Sequence, residues 1–127
     1  METQPLADML EDLLHEAGDD GLVACLAEAS FEEGADLPAI RHEYERRYRR
    51  AVAAVCALRG EPTYESQVRD EAWPAWLDAL RVAQWSDPQG TIYVALIEAE
   101  AGMRLVGGGR PHLTRPEAVT LSPPGGN

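Results

Sequence analysis

The chain has 127 residues, 45% of them hydrophobic and 26% charged, with a formal net charge of −11. That length and balance fit one globular domain. No apolar run approaches the roughly 18 residues of a membrane-spanning helix, and METQPLADMLEDLLHE lacks the basic start of a signal peptide, so a soluble, cytoplasmic protein without a membrane partner is expected. The eleven basic residues are all arginine, which excludes a Walker A lysine, a Schiff-base lysine and a lysine general base. The Arg, Ala, Gly and Pro bias points to a GC-rich bacterial genome. Cys25 and Cys56 lie far apart with no CxxC pairing, so neither a disulfide framework nor a zinc knuckle is signalled.

Residues 3–17 read as an amphipathic helix, because Leu6, Met9, Leu10, Leu13, Leu14 and Ala17 recur at helical spacing. Thr3 can cap it and Gly18 supplies a left-handed stop. The stretch GDDG then turns the chain into a second expected helix over about 21–33, with Leu22, Cys25, Leu26 and Ala29 as its stripe. The short connection would make the two a helical hairpin. A third, long helix follows: Asp36 caps it, Pro38 occupies its first turn, and Gly60 with Pro62 ends it. Its buried stripe is Ile40, Tyr44, Tyr48, Ala51, Val55 and Leu58.

Residues 63–83 read as a Trp-bearing helix bent at Pro74, with Trp73, Trp76, Leu77 and Leu80 on one side. After Ala83 the pattern changes. Asp87-Pro88-Gln89-Gly90 suits a tight turn, TIYVALI is rich in β-branched and aromatic residues, and Ala101-Gly102 offers another turn. A short antiparallel meander near 81–86, 91–98 and 103–107 is therefore expected. Its rival is a helix over 88–101, which would make the whole an all-α bundle. From Gly107 the density of glycine and proline reads as a disordered tail. The expected object is an α+β domain over 1–106, mostly helical, followed by a tail over 107–127 in which HLTRPEAVTL could dock as a strand.

Charge is distributed unevenly. Residues 1–40 carry half of the acids and no arginine, so this segment alone accounts for the net charge. RHEYERRYRR, at 41–50, then holds five arginines. At 100° per residue Arg46, Arg47 and Arg50 share one flank of the long helix, while Glu43 and Glu45 sit three or four residues from most of the cluster. The arginines are therefore wrapped around the helix and largely answered by its own glutamates. A nucleic-acid site would have to release counterions against the field of the whole molecule, so nucleic acid is disfavoured as a partner.

Chemistry is sparsely signalled. Asp12-Leu13-Leu14-His15 has a carboxylate-x-x-His spacing, but His15 lies opposite the apolar stripe and points to water. His42 lies off the stripe of its helix and His112 lies in the tail, so no histidine is placed as a general base beside either cysteine. The triple glycine at 107–109 fits no phosphate-binding pattern. No metal, cofactor or catalytic residue is expected.

The expected function is a non-catalytic protein-protein interaction module, such as an adaptor, a chaperone, or an antitoxin or immunity protein. It would offer an acidic N-terminal surface to a basic partner and could form a homodimer. The residues of that surface are Asp8, Glu11, Asp12, Glu16, Asp19, Asp20, Glu28, Glu32 and Glu33. Two other expectations compete. One is a small-ligand sensor or enzyme with a pocket lined by Trp73, Trp76, Trp85 and Tyr93, and the other is anion or nucleic-acid binding through Arg46, Arg47 and Arg50.

Overall fold

The structure is a computed structural model and describes residues 5–18, 21–68, 70–74 and 77–111. The chain runs α1 (Leu6–Glu16), β1 (Leu22–Ser30), α2 (Leu37–Arg59), β2 (Tyr64–Ser66), β3 (Arg81–Asp87), β4 (Gly90–Ala99) and β5 (Gly102–Pro111). The strands form one five-stranded sheet in the order β1-β5-β4-β3-β2, antiparallel throughout. Expectation of a mostly helical domain, and the all-α alternative with it, is overturned: this is a mixed α+β fold with two helices on a sheet.

The helical hairpin fails because 21–33 is not a helix. Leu22–Ser30 pairs along its length with β5, Val23 opposite Gly108 and Glu28 opposite Arg104. Its Ala, Leu and Glu content favours helix intrinsically, but tertiary pairing overrides so weak a preference. A register shift between Cys25 and Ala27 also breaks the two-residue alternation that marks a strand in sequence.

The Trp-bearing helix is likewise absent among the described residues. Those of its span form β2, a loop and the start of β3. Asp70 organises that loop, its Oδ1 accepting from the Tyr64 hydroxyl at 2.7 Å and the Ala72 amide at 3.0 Å. The Trp73 indole donates to the Leu77 carbonyl at 2.9 Å. Helical spacing of Trp73 and Leu77 thus reflects a compact loop that packs both side chains down on the sheet.

Strands fall at the meander's three positions, and the rival helix over 88–101 does not form. Asp87 turns the first hairpin by accepting the Gln89 amide at 2.8 Å and the Gly90 amide at 3.2 Å. However, the third strand continues to Pro111, so Gly107–Gly109 belong to β5 and not to a tail. These glycines pair with β1 on one side and β4 on the other. The residues beyond, 112–127, lie outside the described part of the chain, as do the docking segment expected there, His112, and the expected cap Thr3.

Both helices cover one face of the sheet. Leu10 and Leu14 of α1 and Tyr44, Tyr48, Ala51 and Val55 of α2 pack on Val94, Leu96, Met103 and Leu105. Leu58, expected in that stripe, is 56% exposed, whereas Val55 one turn earlier is fully buried. Trp73, Leu77 and Ala79 cover part of the other face, above Val82, Tyr93, Ala95 and Val106. α2 is delimited as its sequence implies: Asp36 accepts the Ala39 amide at 3.2 Å, and Gly60, at φ 83°, ends the helix with its amide on the Cys56 carbonyl. α1 instead ends in extended backbone at Ala17, and the left-handed glycine is Gly21, at φ 80°.

α1 lies against the glycines of β5. A Cβ on Gly109 would stand 2.6 Å from the backbone of Leu14, whereas one on Gly18 would meet nothing within 4 Å. Gly109→Ala must lift the helix and should cost about 1–3 kcal/mol by overpacking, or roughly 4–8 °C of Tm per kcal/mol for a domain of this size. Gly18→Ala should change stability by less than about 0.5 kcal/mol. Thermal melts of the two variants check this, and equal melts would mean that α1 does not rest on that backbone.

Candidate functional site

The arginines are mostly tied to glutamates. Arg46 and Arg47 both reach Glu43, at 2.9 and 3.1 Å, and Arg47 stacks on the Tyr44 ring at 5.3 Å. Arg41 holds Glu98 of β4 through two hydrogen bonds of 3.0 and 2.7 Å, which sets the Glu98 carboxyl below its ordinary pKa. Arg81 of β3 pairs with Glu45 and lies 5.0 Å from the Tyr48 ring. Arg59 pairs with Glu11, joining α2 to α1. Of the flank singled out as an anion site, only Arg50 lacks an ion pair among the described residues. It leaves one free cation where a nucleic-acid face needs several.

Acids of the N-terminal segment divide into groups. Asp8, Asp12 and Glu16 are exposed on α1, while Glu11 is drawn to Arg59. Glu28 on β1 meets Arg104 of β5 at 3.2 Å. Glu32 and Glu33 are exposed in the turn that follows β1. Asp19 and Asp20 lie outside the described residues. Leu14 rests at Gly109 and Ser30 pairs with Gly102, so the C-terminal end of α1 and the Glu32-Glu33 turn stand at opposite ends of β5, roughly 24 Å apart at strand rise. The structure therefore does not gather all the acids into one patch. Asp8, Asp12 and Glu16 lie on α1, over β5 and β4, whereas Glu28, Glu32 and Glu33 lie on β1 and in the turn after it.

The aromatic residues are separated by the sheet. Trp85 faces the helices and donates from its indole to the Gly60 carbonyl at 2.9 Å. Trp73 and Tyr93 belong to the opposite face, and Trp76 lies outside the described residues. The four-ring pocket is thus not assembled as expected. A cleft of about 350 Å³ does open on that outer face, where Val23, Leu77, Tyr93, Ile97 and Val106 make the apolar lining and Arg104, Arg110 and Asp78 the charged part. Burial pushes the Tyr93 phenol pKa up, and the neighbouring Arg110 opposes that shift.

Sequence reasoning missed the edge of the sheet altogether. β1 is terminal in the strand order, and Leu22 and Val23 are 39% and 60% exposed on it. Val23 is in register with Gly108, over which Tyr93 lies, and Leu22 with Gly109, which faces α1. The two side chains therefore flank the edge on opposite faces. A usable signal was the Gly21 and Gly34 bracketing of this segment, which suits a strand between turns as well as it suits a helix.

His15 is exposed, its Nε2 3.4 Å from the Gln89 side-chain oxygen. Among the described residues no group of three or more His, Cys, Asp or Glu is placed to hold a metal ion. No helix among them is long and apolar enough to cross a membrane.

The Arg41–Glu98 pair generates a pH prediction. A carboxylate whose folded pKa is depressed contributes stability above its unfolded pKa and loses it as pH falls through the folded value. Glu98→Gln should therefore be less stable than the parent at neutral pH, with the difference shrinking toward zero in acid below the ordinary carboxylate range. Denaturant unfolding at stepped pH reads this, and a difference that persists unchanged in acid would remove the ion pair as its cause. Comparison with known proteins finds no matching family model, no matching curated protein and no matching solved structure.

Proposed function

We propose that this chain is a non-catalytic protein-interaction module whose arginine-free N-terminal segment meets a basic partner. One observation carries the reading. Six arginines on α2, β3 and β5, including Arg41, Arg59, Arg81 and Arg104, are each occupied by a glutamate of the same chain, whereas Asp8, Glu16, Glu32 and Glu33 have no ion pair among the described residues. Exposed Glu61, Glu71, Asp87 and Glu100 are likewise without an ion pair among the described residues, so what favours the N-terminal segment is that it carries half of the acids and no arginine of its own. Such a field raises association rate and selects the sign of the partner. An adaptor, a chaperone or an inhibitor that covers a basic surface would each use it.

The test is capture from a lysate of the source organism, with identification of what is bound. The expected partner is basic, and it dissociates as ionic strength rises because screening weakens exposed charge pairs. Replacing Asp8 and Glu16, Glu32 and Glu33 by their amides should reduce affinity at least about tenfold, equivalent to roughly 1.4 kcal/mol. Capture that ignores both salt and these substitutions would defeat the proposal.

The outer-face cleft favours a second reading, a site for a small apolar ligand with an anionic group. Its volume is within the range of small-molecule sites, which start at about 300 Å³. A thermal-shift screen of metabolite acids decides it: a hit whose effect disappears in Arg110→Met would support the cleft, and the absence of any hit would count against it.

A further inference from the structure

We infer that the outer edge of β1 is a strand-addition site that accepts an extended basic segment of a partner protein. This rests on the acidic-surface reading above and specifies how the partner would bind. In an antiparallel ladder, alternate residues of an edge strand direct their N–H and C=O groups away from the sheet. β1 offers nine residues of such an edge. None of its outward backbone groups has a partner among the described residues. The opposite edge, β2, is three residues long and has little to offer.

Edge strands are ordinarily guarded by lysine, proline, inward charges or shortness. β1, LVACLAEAS, contains no proline and no basic residue, and its single charge, Glu28, is turned to Arg104 on its own sheet. One guard remains, the irregularity between Cys25 and Ala27, where the Cys25 thiol approaches the Ala27 carbonyl at 3.4 Å. It leaves Leu22–Cys25 as an uninterrupted stretch, and that is where Leu22 and Val23 stand exposed on the two faces. A strand added there would bring its alternate side chains over both.

Charge selects the occupant. A second copy would bring a chain of net charge −11 edge to edge with another, juxtaposing two sets of Glu28, Glu32 and Glu33, and like charges brought together oppose association. A segment carrying arginine or lysine instead finds Glu32 and Glu33 exposed just beyond the end of the strand. Main-chain hydrogen bonds would supply register and the acids would supply sign, which is the division of labour in β-augmentation.

The experiment uses the full chain and three capped nine-residue peptides at low ionic strength. One alternates valine with arginine and threonine, the second is the same peptide N-methylated on alternate amides, and the third has glutamate in place of arginine. Fluorescence anisotropy gives affinity, and amide hydrogen exchange reports protection across 22–30. The parent peptide should bind and protect β1 amides, N-methylation should weaken it at least about tenfold, and Glu32→Lys with Glu33→Lys should weaken it similarly. Equal binding of the parent and the N-methylated peptide overturns strand addition while keeping the acidic surface. Equal binding of the arginine and glutamate peptides overturns the choice of a basic partner, and the reading beneath it, while keeping the edge. No binding of the parent peptide overturns strand addition and leaves the acidic-surface reading to its own capture test. A dimer in sedimentation, with β1 protected in the absence of peptide, replaces the basic segment by a second copy.

Discussion

Close approach of backbone to backbone at Gly107–Gly109 is the constraint on which the other contacts depend. β5 is the strand that joins β1 to the meander, and along these three residues it has something pressed against each face. A Cβ at Gly107 would fall 2.7 Å from Leu10 and one at Gly109 would enter the backbone of Leu14, while one at Gly108 would strike the Tyr93 hydroxyl at 2.5 Å. α1 can therefore lie low enough to bury Leu10 completely. Raising α1 would also move Glu11 away from Arg59 and so loosen the last turn of α2. Glycine weakens a strand intrinsically by roughly 0.5–1 kcal/mol relative to alanine, but burial of one leucine contributes about 1.5–3 kcal/mol, so the contact outweighs the propensity.

The same glycines explain where sequence and structure part. α2 and the strands near 81, 91 and 103 were legible because each carries local punctuation: Asp36, Pro38 and Gly60 around the helix, Asp87 at the hairpin. The triple glycine has no such local meaning. Read alone it resembles a tail, and its role depends on Leu10, Leu14 and Tyr93, residues distant in sequence. β1 was hidden for a related reason. As an edge strand with an irregular register it is half-exposed on both faces, so no face shows the alternation that burial imposes. The candidate surface was legible as a charge imbalance, since counting needs no fold, but its strand edge was not.

The long α2 links these features. β1 and β2 lie at opposite edges of the sheet, and four strand spacings separate them, about 19 Å. A helix of 23 residues, roughly 34 Å long, carries the chain obliquely across that width. On the way it presents Tyr44 and Tyr48 to the sheet and its charged residues to the edges of the contact, where Arg41 reaches Glu98 and Glu45 reaches Arg81. Tyr48 is fully buried, yet its hydroxyl still finds Glu65 of β2 at 3.3 Å. Trp85 completes the attachment by binding the carbonyl of Gly60. These contacts place β2 as one border of the sheet and leave β1 as the other, with α2 leaving from its end rather than lying along its edge.

Internal ion pairs of this exposure are worth only about 0–1 kcal/mol each. Their larger effect is on where charge remains. Arg41, Arg46, Arg47 and Arg81 are taken by Glu43, Glu45 and Glu98 of their own half of the sequence, and only Arg59 and Arg104 reach across to the N-terminal acids Glu11 and Glu28. A chain that kept Asp8, Glu16, Glu32 and Glu33 paired as well would have gained a little stability through reduced self-repulsion. Glu32 and Glu33 stand at the end of β1, the longer of the two strand edges left open among the described residues. Backbone groups without partners on β1 and the carboxylates of Glu32 and Glu33 without counterions thus adjoin at the Ser30 end of that strand. Neither is required by the packing of Leu10, Tyr48 and Leu96 in the core, so both can be altered by substitution without removing a core contact.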